Sequence, residues 1–161
     1  MNSTPESYLS FRVGRQWYGV HIDSVIEVLH LVALTELPSA PPAVLGLMTL
    51  RDMVMPVMDL RLRFGLEDNA PLRLDTHLIA LNTATGPMAI VIDDVDNVEQ
   101  VSQISSQEGH ESPYVWGVAN LPDKLLLLLD MDQLHTPIEK RNTNTRTKSR
   151  SRKAVSKTNA R

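Results

Sequence analysis

The chain of 161 residues contains no cysteine, which removes disulfides, thiolate metal sites and cysteine nucleophiles together. Histidine is scarce and scattered. His21, His30, His77, His110 and His135 offer no pair at metal-ligand spacing, so no metal site is expected. No stretch approaches the roughly 18 apolar residues of a membrane span. The opening Met1-Asn-Ser-Thr-Pro-Glu6 has neither the positive region nor the apolar segment of a signal peptide. A cytoplasmic protein is the expectation, carried elsewhere only by a partner. Reactive constellations are missing too: His21 stands near Asp23, but no nucleophile motif, phosphate-cradling glycine loop or carboxylate pair accompanies them, and the two read as surface.

Basic residues are absent from most of the chain. Residues 1–136 hold seven Lys or Arg against eighteen Asp or Glu, a net charge of −11. Residues 137–161 hold nine against Glu139 alone, a net of +8. The chain is thus an acidic body with a basic tail. Thr, Asn, Ser, Lys and Arg fill the tail without an aromatic, so it cannot bury enough surface to offset ordering entropy and is expected to be disordered. Such a tail can attract nucleic acid, anionic lipid or the acidic body itself. Lacking rings on which bases stack, it offers nucleic acid only salt-sensitive, sequence-blind attraction.

What the chain does have is repetition. Gly46-Leu-Met-Thr-Leu50-Arg-Asp52 followed by Asp59 shares its skeleton with Gly117-Val-Ala-Asn-Leu121-Pro-Asp123 followed by Asp130. Upstream, Val20-His-Ile22-Asp23-Ser-Val25 lies over Ile90-Val-Ile92-Asp93-Asp-Val95, the two matches being offset by 71 and 70 residues. Self-similarity at a fixed offset is the trace of a repeated structural unit. Two modules follow, 7–74 and 75–136, each near the lower size limit for independent stability, so the halves should lean on each other.

Within the modules apolar residues alternate with polar ones. Leu9, Phe11 and Val13, then Tyr18, Val20 and Ile22, flank a turn at Gly14-Arg-Gln16 and read as a hairpin. Residues 25–31 continue as strand until prolines at 38, 41 and 42 interrupt. Residues 46–50 and 53–58 form a second hairpin turning near Arg51-Asp52, with Pro56 suggesting an edge or a bulge. Asp59 is placed to cap one helical turn that Gly65 ends. The second module repeats the plan over 78–82, 88–92, 95–101, 114–121 and 124–129, with a polar loop over 102–113 and a short helix from Asp130. Many short strands with little helix mean an all-β fold of small barrels or a sandwich.

Taken in order, Phe11-Arg-Val-Gly14, Tyr18-Gly-Val-His-Ile22, Val25-Ile-Glu-Val28, Leu37-Pro-Ser-Ala-Pro41, Gly46-Leu-Met-Thr-Leu-Arg51, Pro56-Val-Met-Asp-Leu-Arg61, Val91-Ile-Asp93 and Gly117-Val-Ala119 resemble the CheW-like domain of bacterial chemosensory signalling, over about residues 7–135. The resemblance implies two tandem SH3-like five-stranded β-barrels packed together within residues 1–136. It further implies a non-enzymatic adaptor, without cofactor, that couples the cytoplasmic tip of a chemoreceptor to the regulatory domain of a CheA-type histidine kinase, and so meets the inner membrane through receptor arrays. Carried over by position, Val25, Glu27 and Arg51 form the receptor-binding site. Arg51 is the only Lys or Arg between Arg15 and Arg61, and at a strand end its guanidinium fork can reach a partner's oxygens. The family's usual Asn-Leu-Arg-Gly stands here as Thr49-Leu50-Arg51-Asp52; aspartate tolerates the left-handed conformation, so the turn should survive.

Other residues carry two readings. Met48, Met53, Met55 and Met58 suit an adaptable surface or a barrel core, the core being favoured because strand side chains alternate faces. Asp93, Asp94, Asp96 and Glu99 lack the spacing and glycine of a calcium loop and read as a solvated acidic edge. The alternative function is a nucleic-acid or anionic-surface binding protein anchored by the tail, against which the acidic body counts.

Overall fold

The computed structural model describes residues 4–66, 71–106 and 112–135; the expected disordered tail lies outside them, as does part of the polar loop over 102–113. The strands are β1 (Glu6–Val13), β2 (Gln16–His21), β3 (Val25–His30), β4 (Val44–Leu50), β5 (Met53–Asp59), β6 (His77–Thr83), β7 (Gly86–Ile92), β8 (Asp94–Val101), β9 (Ser105–Ser106), β10 (Val115–Asn120) and β11 (Leu125–Leu129). Two short helices, α1 (Leu60–Arg63) and α2 (Met131–His135), follow β5 and β11. The Asp59 carboxylate accepts the Arg61 N–H at the start of α1, and Gly65 leaves the helix with φ 72°, as the sequence indicates.

One sheet has the order β3-β6-β7-β5-β4 and the other β8-β1-β2-β11-β10-β9. The sequence repeat lays β1 to β5 over β6, β7, β8, β10 and β11. Apart from the two-residue β9, the two sheets then have one and the same order. Register repeats as well: β5 runs parallel to β7 with Val57 opposite Ala89, and β11 runs parallel to β2 with Leu128 opposite Gly19. Bulges fall at equivalent places, Val44/Gly46 and Val115/Gly117. These are the two SH3-like barrels of a duplicated all-β fold.

The division into 7–74 and 75–136 does not separate the strands of the two barrels. The β1–β2 hairpin completes the barrel of β8, β10 and β11, and the β6–β7 hairpin completes that of β3, β4 and β5. The links explain the exchange. β2 passes into β3 through one 3-10 turn, Ile22–Ser24, and β7 into β8 through Asp93 alone. Both links carry the chain from one sheet into the other instead of reversing it within its own.

Exchange buries both faces of the shared strands. On β7, Ala89 and Val91 enter one barrel's core with Met48, Met55, Val57, Leu78 and Ala80. Met88, Ile90 and Ile92 point the other way, into a central core with Leu9, Phe11, Val13, Val20, Ile79 and Leu81. Tyr8, Val101, Ala119, Leu126 and Leu128 fill the second barrel. Three of the four methionines weighed for a surface role, Met48, Met55 and Met58, are buried, and Met53 packs against the first barrel's core. Pro56 sits in a strand flanked on both sides, not at an edge. Its missing N–H is tolerated because the ladder to β7 begins one residue later, at Val57.

Candidate functional site

In the first barrel β3 and β4 are the two outer strands of the sheet, so a contact between them closes the barrel. The β4–β5 hairpin turns on Arg51 at φ 49° and Asp52 at φ 66°, the paired left-handed conformation of a type I′ turn. Aspartate therefore does hold the turn where the family's glycine is expected. From this tip Arg51 Nη2 donates to Glu27 Oε1 on β3 at 2.6 Å. The Arg51 side chain is 64% exposed and that of Glu27 34%, and the remaining N–H groups of the fork have no partner among the described residues. Exposed Val28 and Val54 lie on the same strand and hairpin. Of the three residues expected at the receptor face, Glu27 and Arg51 meet directly. Val25, at the start of β3, is half-buried and packs against the central core.

The second barrel carries an equivalent seam of different character. Lys124, at the foot of the β10–β11 turn, is only 6% exposed; it binds Asp96 and Glu99 of β8, the latter at 3.1 Å, and lies 4.5 Å from the centre of the Trp17 ring. Burial pulls its pKa down, but the hydrogen bonds and charges of Asp96 and Glu99 outweigh that and raise it. The turn itself differs, because Pro122 cannot take positive φ, and Leu121 N–H donates to the Lys124 carbonyl instead.

Between the barrels, Arg61 is 7% exposed and lies 3.4 Å from Asp59 Oδ1 and 3.6 Å from Asp93 Oδ1, while Asp93 Oδ2 accepts the Gly14 N–H at 2.6 Å. The acidic edge is therefore not simply solvated: three of its four carboxylates hold internal partners. Sequence reasoning missed Lys124 and Arg61. The signal for Lys124 was there, since it is the only Lys or Arg between Arg73 and Lys140, the argument that singled out Arg51. His21 caps the 3-10 turn by accepting the Asp23 N–H and stands 3.8 Å from Glu6. Among the described residues no group of three or more His, Asp or Glu is arranged to hold a metal ion, and no helix is long and apolar enough to cross a membrane.

The architecture is a duplicated pair of SH3-like barrels sharing hairpins, with a charged pair displayed at one barrel's closure. Comparison with known proteins gives the family. The CheW-like domain matches residues 7–138. Chemotaxis protein CheW of Treponema pallidum is 28% identical over 86% of this chain and 87% of its own, and that of Klebsiella aerogenes 26% identical over 80% and 81%. Protein FrzA of Myxococcus xanthus is 33% identical over 60% of this chain and 59% of its own. The crystal structure of scaffolding protein TtCheW from Thermoanaerobacter tengcongensis superposes with a TM-score of 0.77 at 24% identity, over 83% of this chain and 94% of that one, so the fold is shared. The chain belongs to the CheW-like domain family.

Proposed function

We propose that this protein is a non-enzymatic chemotaxis adaptor, a scaffold that couples the cytoplasmic tips of chemoreceptors to a CheA-type histidine kinase. Family membership over most of the folded chain supports the adaptor role. The observation that carries the receptor site is the Arg51–Glu27 pair: an exposed guanidinium with unspent donors, held at a hairpin tip beside an acidic strand. Such a pair contributes only about 0–1 kcal/mol to folding, so its charges are available for exchange with a partner's. An acceptor on a receptor helix would take the free side of the Arg51 fork, while Glu27 fixes register and Val54, exposed on the same hairpin as Arg51, supplies apolar contact.

Arg51→Glu tests the assignment. Co-sedimentation with receptor-containing membranes should fall by about tenfold or more, the loss of one anchor at an interface, while the circular dichroism spectrum stays native. Unchanged co-sedimentation would remove Arg51 from the site.

A further inference from the structure

A groove of 480 Å³ lies where the β6–β7 turn of one barrel abuts β1, β2, β10 and the start of α2 of the other. Its charge is one-sided. Among the described residues Glu6, Asp130 and Asp132 line it without any Lys or Arg, and Asp23 adds a fourth carboxylate 3.6 Å from the lining His21. Trp116, 45% exposed, forms an apolar wall there. Carboxylates beside an open indole are a receptacle for guanidinium and ammonium groups, which gain ion pairs and a ring face together.

We infer that this acidic groove docks the chain's own basic segment, residues 137–161. The segment follows directly on α2, whose first residues Met131 and Asp132 line the groove. Its densest run, Arg146, Lys148, Arg150, Arg152 and Lys153, begins eleven residues beyond the end of α2. At about 3.3 Å per extended residue that length spans roughly 35 Å, ample to return to the groove. Tethering raises the effective concentration to about the millimolar range, so contacts too weak to hold a free peptide suffice within one chain. The docked segment competes with any other cationic partner of the groove, and releases it as salt rises and the Debye length shrinks.

The chain's lack of cysteine makes the test direct. In full-length protein carrying Ser151→Cys, a nitroxide label should broaden the Trp116 indole N–H and the Thr83 and Ala84 amides at low salt. The indole of Trp17, whose ring is covered by Lys124, serves as internal control. Broadening should fade as salt is raised to several times 0.1 M, where charges are screened within a few ångströms. Glu6→Gln combined with Asp132→Asn, which keeps an acceptor for the Ala84 N–H, should weaken it severalfold with the amide spectrum otherwise unchanged. Mixing labelled protein at natural isotope abundance with unlabelled ¹⁵N protein separates the sources: broadening in the ¹⁵N copy means capture between molecules and overturns the proposal. It is equally overturned if Trp116 broadens no more than Trp17, or if the groove variants leave broadening unchanged.

Discussion

Replacing Arg61 by methionine keeps a long unbranched side chain between the barrels but deletes the only cation among the described residues that faces Asp59 and Asp93. Arg61 and Asp59 side chains are each 7% exposed and Asp93 23%, so two carboxylates are left largely out of water. Each retains a backbone donor, Asp59 the Arg61 N–H and Asp93 the Gly14 N–H. Removing one partner of a buried ion pair typically costs about 3–5 kcal/mol. The contacts here are at 3.4 to 3.6 Å and Asp93 keeps some water, which places the cost near about 3 kcal/mol. With a urea dependence of about 2 kcal/mol per molar, the unfolding midpoint falls by about 1.5 M. Arg51→Met, at an exposed pair, should cost less than about 1 kcal/mol. Adding Asp93→Asn to Arg61→Met should recover part of the loss, since the stranded charge is then gone. If Arg61→Met costs no more than Arg51→Met, the interbarrel cluster is not the constraint its burial implies.

Three further outcomes follow from the same geometry. Gly46→Ala puts a Cβ 2.5 Å from the Thr35 carbonyl oxygen at φ 154°, whereas at the equivalent Gly117 the obstacle is the movable Ile104 side chain at 2.6 Å; thermal melts should show a loss of about 2–4 kcal/mol for the first and about 1–2 for the second, and equal losses would refute the distinction. Burial, with the hydrogen bond and charge of Glu6, pushes the Tyr8 pKa up to about 12, and Lys124 is also raised; both hold their protons longer when folded, so stability present below the ordinary values of 10.0 and 10.5 is lost as pH rises through and beyond them. Urea midpoints measured across that range should fall above about pH 10, and a midpoint constant to pH 11 would count against it. Finally, each barrel takes strands from both halves, so fragments 1–74 and 75–161 should be unfolded separately by circular dichroism and fold when mixed; a fragment folding alone would contradict the hairpin exchange.

The strands other than β9 and the two Asp-capped helices are legible in the sequence because each is a local matter: alternation, turn residues, an Asp directly before the first helical residue; the repeat is legible as residue matches at a nearly fixed offset. Hairpin exchange is not local. A strand pairing within its own module or with the other module shows the same alternation. The continuous apolar runs Leu78-Ile79-Ala80-Leu81 and Met88-Ala89-Ile90-Val91-Ile92 did carry a trace of it, since strands buried on both faces lose alternation. At the candidate site Arg51 and Glu27 were marked by family position and charge scarcity, but their mutual bond depends on closure of the barrel, which brings together residues 24 positions apart. Nothing local marked Arg61, because burial between barrels cannot be read from a four-residue helix.

The internal bond between Arg51 and Glu27 leaves two explanations for any defect at Arg51: a lost partner contact or a loosened barrel. Exchanging the charges, Glu27→Arg with Arg51→Glu, rebuilds the bond in reverse and separates them. The adaptor account predicts that the exchanged protein has native stability yet stays as deficient in receptor co-sedimentation as Arg51→Glu alone. Recovery of receptor binding with the reversed pair would show that the pair serves only to close the barrel, and would contradict the proposed receptor face.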